Sequence, residues 1–192
     1  ASVVFNAGQF DEHRRHLGWL KSEGRWLSPH QHPSFKGLFL SGAQDGAAWA
    51  RVADLEQAPP SIIKRYEHGV QSMMLFDDQG HIRVRHSNKS ACRSVIAEDQ
   101  AGRILLLVTA GAVTLADFAR WLLQQNLHLV RAMNLDGGVE SQLFVRTPNS
   151  EFSFYGQLGH RSVQIDAGPF GIRYPLPAVI AVFPAPKKAT SI

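Results

Sequence analysis

Asp136 and Glu140 stand four residues apart in the stretch RAMNLDGGVESQLF (131 to 144), and two glycines directly follow the first carboxylate. A carboxyl side chain is acid, base or nucleophile according to its protonation. Glycoside cleavage commonly employs two of them, one to protonate the leaving oxygen and one to attack or to activate water. A phosphate leaving group departs as a stable anion and needs less protonation. Two readings of Asp136 stand side by side. In the plainer one it accepts backbone N–H groups of its own turn. In the other, the apolar run LVRAMNL is a central strand that holds the carboxylate rigidly for chemistry. Gly137 and Gly138 permit backbone conformations closed to other residues and close approach of a ligand to the main chain. Glu140 is a candidate second carboxylate and Asp166 is equally eligible; a solvent-facing or ion-paired Glu140 is the structural alternative.

Other residue types add to this chemistry. Arg93 offers a planar fork of donors suited to phosphate oxygens, against the ordinary role of a surface cation or ion pair. Asn6, Gln71 and Ser72 carry the amide and hydroxyl groups that pair with sugar hydroxyls, or that settle as satisfied loop residues. HSNKS (86 to 90) is a polar loop beside Arg93 that could help to hold a phosphate. The histidines of HRRH (13 to 16) and HQH (30 to 32) invite a metal site, but no cysteine or carboxylate pattern of metal spacing accompanies them, so no metal is expected. Cys92 reads as a small buried hydrophobe rather than a nucleophile. Among the tryptophans, Trp19, Trp26 and Trp49 are available to stack on a sugar ring, whereas Trp121 falls on a helix, half-packed.

The elements that must position these groups are mostly strands. Short β-branched and aromatic runs occur at 2–5, 37–41, 48–52, 72–76, 81–86, 94–98, 103–109, 128–135, 142–146 and 178–183. DDQG (77 to 80) and DQAG (99 to 102) suit tight hairpin turns. One helix is well marked: TLADFARWLLQQN (114 to 126) has Thr114 as N-cap, Asp117 three residues on, and Leu115, Phe118, Ala119 and Leu122 on one face. A weaker helical pattern covers SIIKRYEHG (61 to 69) after two prolines. The run 103–109, the helix and the run 128–135 make a βαβ-like passage. The fold class expected is α+β, a single domain with a twisted mixed or antiparallel sheet and few helices.

Composition bounds the rest. The 192 residues suffice for one hydrophobic core, here over residues 1–184, with a Pro- and Lys-rich tail at 185–192 expected to fray. Twenty basic residues against 16 acidic give a net charge of +4, but they are scattered rather than striped, which argues against nucleic acid and leaves room for an anionic substrate. A single cysteine rules out an internal disulfide. No run of about 18 apolar residues spans a bilayer. The start ASVVFNAGQF has neither a basic nor a long apolar leader segment, and it opens almost directly on a strand, as expected if an upstream segment has been removed.

Taken together, NAGQF (6 to 10), GVQSMMLF (69 to 76), CRSVIAEDQAGRILLLVT (92 to 109), TLADFARWLL (114 to 123) and NLDGGVESQL (134 to 143) resemble the phosphodiester glycosidase domain family over Asn6 to about Phe183. The residues that look alike are Asn6, Gly8 and Phe10; Gln71 and Ser72; Arg93; and Asn134, Asp136, Gly137, Gly138 and Ser141. The resemblance implies hydrolysis of the bond between a sugar's anomeric carbon and phosphate, without a cofactor, on glycans of the cell envelope or an exopolysaccharide, and it favours an exported protein. It also implies that Arg93 binds phosphate, that Asp136 is the key carboxylate, and that Asn6, Gln71, Ser72 and Ser141 shape the sugar pocket. The chain departs from the family pattern at Lys36, at Met73 and Met74, and at Glu140, which bears on substrate choice. The alternative is a catalytically silent glycan-binding module on the same fold.

Overall fold

The computed structural model describes residues 1–157 and 174–184, so Asp166 and the tail at 185–192 lie outside the described residues. Among the described residues twelve strands form two sheets, accompanied by one α-helix, and every pairing of these strands is antiparallel. The smaller sheet runs β11 (Glu151–Tyr155), β10 (Gln142–Arg146), β1 (Val3–Asn6), β12 (Val179–Val182). The larger follows the path β3 (Arg25–Ser28), β2 (Leu20–Ser22), β6 (Tyr66–Phe76), β9 (Leu129–Gly137), β7 (Arg93–Asp99), β8 (Ile104–Val108). The hairpin of β4 (Gly37–Ala43) and β5 (Ala50–Asp54) joins β6 through β4. The expected α+β class with few helices is the class observed.

Side-chain alternation divides the larger sheet into two working faces. Met74, Ile96, Met133 and Leu135 point toward the smaller sheet and pack with Phe5, Leu143 and Ile180. On the opposite face Leu75, Val95, Ala97 and Ala132 pack against Phe118, Ala119 and Leu122 of α1 (Leu115–Gln124). The helix starts as its sequence indicates, with the Thr114 hydroxyl accepting the Asp117 N–H at 3.1 Å. Because β7 lies between β8 and β9 and is antiparallel to both, β8 and β9 run parallel, and α1 is the crossover between them.

Three local expectations change. The run 81–86 forms only a single bridge, Phe76 to Ile82, because Arg83 is drawn into ion pairs with Asp54 at 2.8 Å, Asp77 at 3.3 Å and Glu56. The pattern at 61–69 becomes a 3₁₀ turn, Pro60–Arg65, and Tyr66 already belongs to β6. Strands β2, β3 and β11 were not apparent as strands in the sequence; LKS and RWLS are short and EFSFY has exposed positions on both faces.

Leu135 is fully buried between the sheets and immediately precedes Asp136. Leu135→Ala should lower the unfolding free energy by about 2–5 kcal/mol, read from urea denaturation. A loss below about 1 kcal/mol would mean that the inter-sheet core does not close over this strand.

Candidate active site

β6 changes neighbour part-way along its length. Leu20 and Lys21 of β2 pair with Val70 and Gly69, and from Met73 onward β9 takes that edge, with Asn134 opposite Met73. Gln71 and Ser72 sit at this hand-over. The Gln71 amide has four bonds to backbone: its Oε1 accepts from Trp19 and His32 N–H, both at 3.0 Å, and its Nε2 donates to the carbonyls of His32 at 3.0 Å and Phe35 at 2.7 Å. It is fully buried and its bonding capacity is spent. The geometry therefore gives Gln71 the task of fixing the loop that runs from His32 into Lys36, rather than an amide free for sugar hydroxyls.

At the end of β9 the backbone comes close to the start of β7. Arg93 and Gly137 are paired, and Gly138 N–H donates to the Cys92 carbonyl at 2.9 Å. A Cβ on Gly137 would lie 2.9 Å from the Cys92 oxygen and 3.3 Å from Arg93 Nη1, so the glycine is required by close approach. Gly138 has φ +69° and opens a 3₁₀ turn, Gly138–Glu140, closed by Ser141 N–H on the Gly138 carbonyl. Gly156 presses on this turn from the far side. A Cβ there would stand 2.0 Å from the Gly138 oxygen, and nothing in the sequence distinguished this glycine. Asn6 reaches the same segment across 136 residues, its Oδ1 accepting the Gln142 N–H at 3.2 Å. Arg93 at Gly137 and Asn6 at Gln142 thus bracket the segment that follows Asp136.

Asn134 lies on the face of β9 that carries Ala132, on which α1 packs, with Met73 and Val95 flanking it on the neighbouring strands, and the β7–β9 register slips by one residue between Asn134 and Gly137. Arg93 projects from that same face of β7. Its Nε and Nη2 donate to the carbonyls of Val113 at 3.0 Å and Lys89 at 2.8 Å, and among the described residues no carboxylate pairs with it. The guanidinium is oriented by backbone and keeps its charge for another anion. Its hold on Lys89 also anchors the HSNKS loop.

Asp136 is half-buried, with Oδ1 accepting the Gly137 N–H at 2.8 Å. Loss of water raises its pKa from 3.8 to about 6; the Gly137 bond opposes the rise and the negative charge of Glu140 adds to it. The Gly137 bond is the turn contact, made by a carboxyl whose ionisation burial resists. Glu140 is close enough for its charge to be felt, and it is itself partly exposed.

Several buried polar atoms here have no partner among the described residues: Asn6 Nδ2, Ser72 Oγ, Asn134 Oδ1 and Ser141 Oγ. All four residues are at most 1% exposed. These four residues lie on β1, β6, β9 and just after the turn that ends β9. Nearby, His16 packs on Gly8, donates from Nε2 to the Trp19 carbonyl at 3.1 Å, and has its pKa pushed down to about 4 by burial. It is neutral at physiological pH. Cys92 is buried, consistent with a hydrophobic role. Among the described residues no cluster of metal-ligating side chains occurs, and no helix is long and apolar enough to cross a membrane.

Beside Met73 a cleft of about 650 Å³ opens on the helix side of the sheet, with Lys36, Glu56, Arg83, Arg85, Val84 and Leu115 among its lining residues. None of Trp19, Trp26, Trp49 and Trp121 lines it.

Asp136, half-buried with its pKa raised, and Arg93, without a carboxylate partner among the described residues, thus stand where the end of β9 meets the start of β7. The family model of phosphodiester glycosidases matches residues 1–183, and the chain belongs to that family of hydrolases. Among solved structures, the catalytic domain of zebrafish N-acetylglucosamine-1-phosphodiester alpha-N-acetylglucosaminidase, auto-inhibited by its pro-peptide, is similar in fold, with a TM-score of 0.64 at 19% identity. The match covers 91% of this chain and 61% of that one, so the present chain spans under two thirds of that catalytic domain. A search of curated proteins finds no match.

The raised pKa of Asp136 has a stability consequence. A group whose folded pKa exceeds its unfolded value favours the fold while protonated, and that contribution is lost as pH rises from 3.8 through about 6. Asp136→Asn, which keeps the acceptor for Gly137, should therefore raise stability at pH 7, by at most about 3 kcal/mol, and leave it unchanged near pH 3.5. Thermal melts of both proteins across this range check the sign. A variant less stable at pH 7 would contradict the assigned environment.

Proposed function

We propose that the protein hydrolyses the bond between a sugar's anomeric carbon and phosphate in a sugar-1-phosphodiester belonging to cell-envelope or exopolysaccharide glycans. The observation that carries this reading is the close pairing of Arg93 with Gly137, which brings a guanidinium without a carboxylate partner among the described residues against the residue that follows the half-buried Asp136, in a chain of this family. Arg93 takes the phosphate. Asp136, ionised above its pKa and poorly hydrated, is the nucleophile or base at the anomeric carbon, and the phosphate leaves as an anion needing little protonation. Glu140 is the second carboxylate, whose charge keeps Asp136 basic. Asn6, Asn134 and Ser141 supply the unspent amide and hydroxyl groups for the sugar, Gly137 and Gly138 admit the substrate to the backbone, Gln71 holds the wall, and Ser72, which alternation puts with Met74 on the inter-sheet face, stands behind it. The zebrafish protein's name supports an N-acetylglucosamine 1-phosphodiester as the first substrate to try.

A second reading, a glycan-binding module without turnover, draws on Glu140, which places another negative charge beside Asp136 where an anionic substrate must approach. Multiple turnover decides between the two. Sugar release from a panel of sugar-1-phosphodiesters is expected for the wild type and absent for folded Asp136→Asn. Unchanged turnover by that variant would remove Asp136 from the mechanism.

The pH profile gives an independent check. kcat/KM should rise with pH through an apparent pKa near 6, and Glu140→Gln should move that limb to lower pH by withdrawing the neighbouring charge. A limb unmoved by Glu140→Gln would show that Glu140 does not act on the titrating group.

A further inference from the structure

We propose that the cleft beside Met73 is a sugar subsite built for an acidic ring, with Lys36 and Arg85 pairing with the ring's anionic substituent; this rests on the assignment of Asp136 and Arg93 above. The register of the larger sheet relates the groups. Gly37 pairs with Ser72 and Met73 pairs with Asn134, so Lys36, one residue before Gly37, comes beside Met73 on the helix side of the sheet. Asn134 lies between Met73 and Val95, and Arg93 is two residues further along β7, so Arg93 and Met73 are two strand spacings across and two residues along from one another, roughly 12 Å. A sugar whose phosphate lies on Arg93 and whose anomeric carbon lies at Asp136 extends over Asn134 toward Met73, and so into the cleft.

The lining fits such an occupant. Met73, Val84 and Leu115 offer apolar surface to the C–H face of a ring, and about 650 Å³ falls within the roughly 300–1,000 Å³ usual for small-ligand sites. Three cations and one carboxylate line it. Arg83 is consumed by Asp54, Asp77 and Glu56, and in the same contact the Glu56 carboxylate is neutralised. Lys36, half-buried on one wall, and Arg85, exposed on the other, have no carboxylate partner among the described residues. The cleft's unspent charge is positive and comes from two separate loops, one fixed by Gln71 and the other by the Arg83 ion pairs. A neutral sugar leaves both cations to water. A carboxylate or phosphate ester on the ring pairs with them.

The test uses binding alone, so that a failed hydrolysis assay and a failed subsite remain distinguishable. D-glucuronate, glucose 6-phosphate, glucose and inorganic phosphate are titrated by calorimetry into the wild type and into the double variant Lys36→Met, Arg85→Met, with thermal melting as the control for folding. Both acidic sugars should bind the wild type roughly tenfold more tightly than glucose, and the double variant should lose that advantage. Preference for one acidic sugar alone identifies the substituent as carboxylate or phosphate ester. Equal affinity for glucose and the acidic sugars, an advantage that survives the double substitution, or no detectable binding would each overturn the proposal. So would inorganic phosphate binding as tightly as glucose 6-phosphate, which would make the cleft a phosphate site rather than a sugar subsite.

Discussion

The contact on which the site depends is the approach of the Gly137–Gly138 backbone to Cys92 and Arg93. No side chain can stand between the end of β9 and the start of β7, because a Cβ on Gly137 would meet the Cys92 carbonyl. That closeness lays the Arg93 guanidinium against the turn, while the positive φ of Gly138 swings the chain back toward Ser141 and Asn6. The two sheets meet here: β9 belongs to the larger, β10 to the smaller, and the five residues from Gly137 to Ser141 carry the chain from one to the other. The inter-sheet core under Leu135 holds both halves of the site in register.

Stability is spent locally to keep this arrangement. A carboxylate whose ionisation is resisted by burial, and amide and hydroxyl groups buried without partners, all cost free energy that an apolar packing would not. The compensation comes from elsewhere: full burial of Phe5, Ile96, Met133 and Leu135, the four-bond anchor of Gln71, and the Arg83 network that ties the ends of β5 and β6 to the following loop.

What the sequence made legible follows from how local each signal is. The helix was readable because its cap, Thr114 with Asp117, and its apolar face lie within a dozen residues. Asp136 and its glycines were readable because a strand running into Asp-Gly-Gly is itself unusual, and Arg93 because an arginine heads a buried strand. Other features depend on partners far along the chain. That Gln71 would spend its amide on His32, Phe35 and Trp19 could not be read from GVQSMM. Gly156 matters only because Gly138 lies against it, and β2, β3 and β11 are strands by virtue of their neighbours rather than their own residues. The run 81–86 misled because Arg83, which reads as an outward residue of a strand, is instead the hub of three carboxylates.

The most direct test of this account is the ionisation of Asp136 itself, followed by carbon NMR of the labelled side-chain carboxyls, with Asp136→Asn identifying the signal. A titration centred near pH 6 is expected, moving to lower pH when a phosphate-bearing sugar does not occupy the site but Glu140 is replaced by Gln. A midpoint at the ordinary 3.8 would contradict the account, because Asp136 would then be a hydrated turn residue and the site would lack its reactive carboxylate.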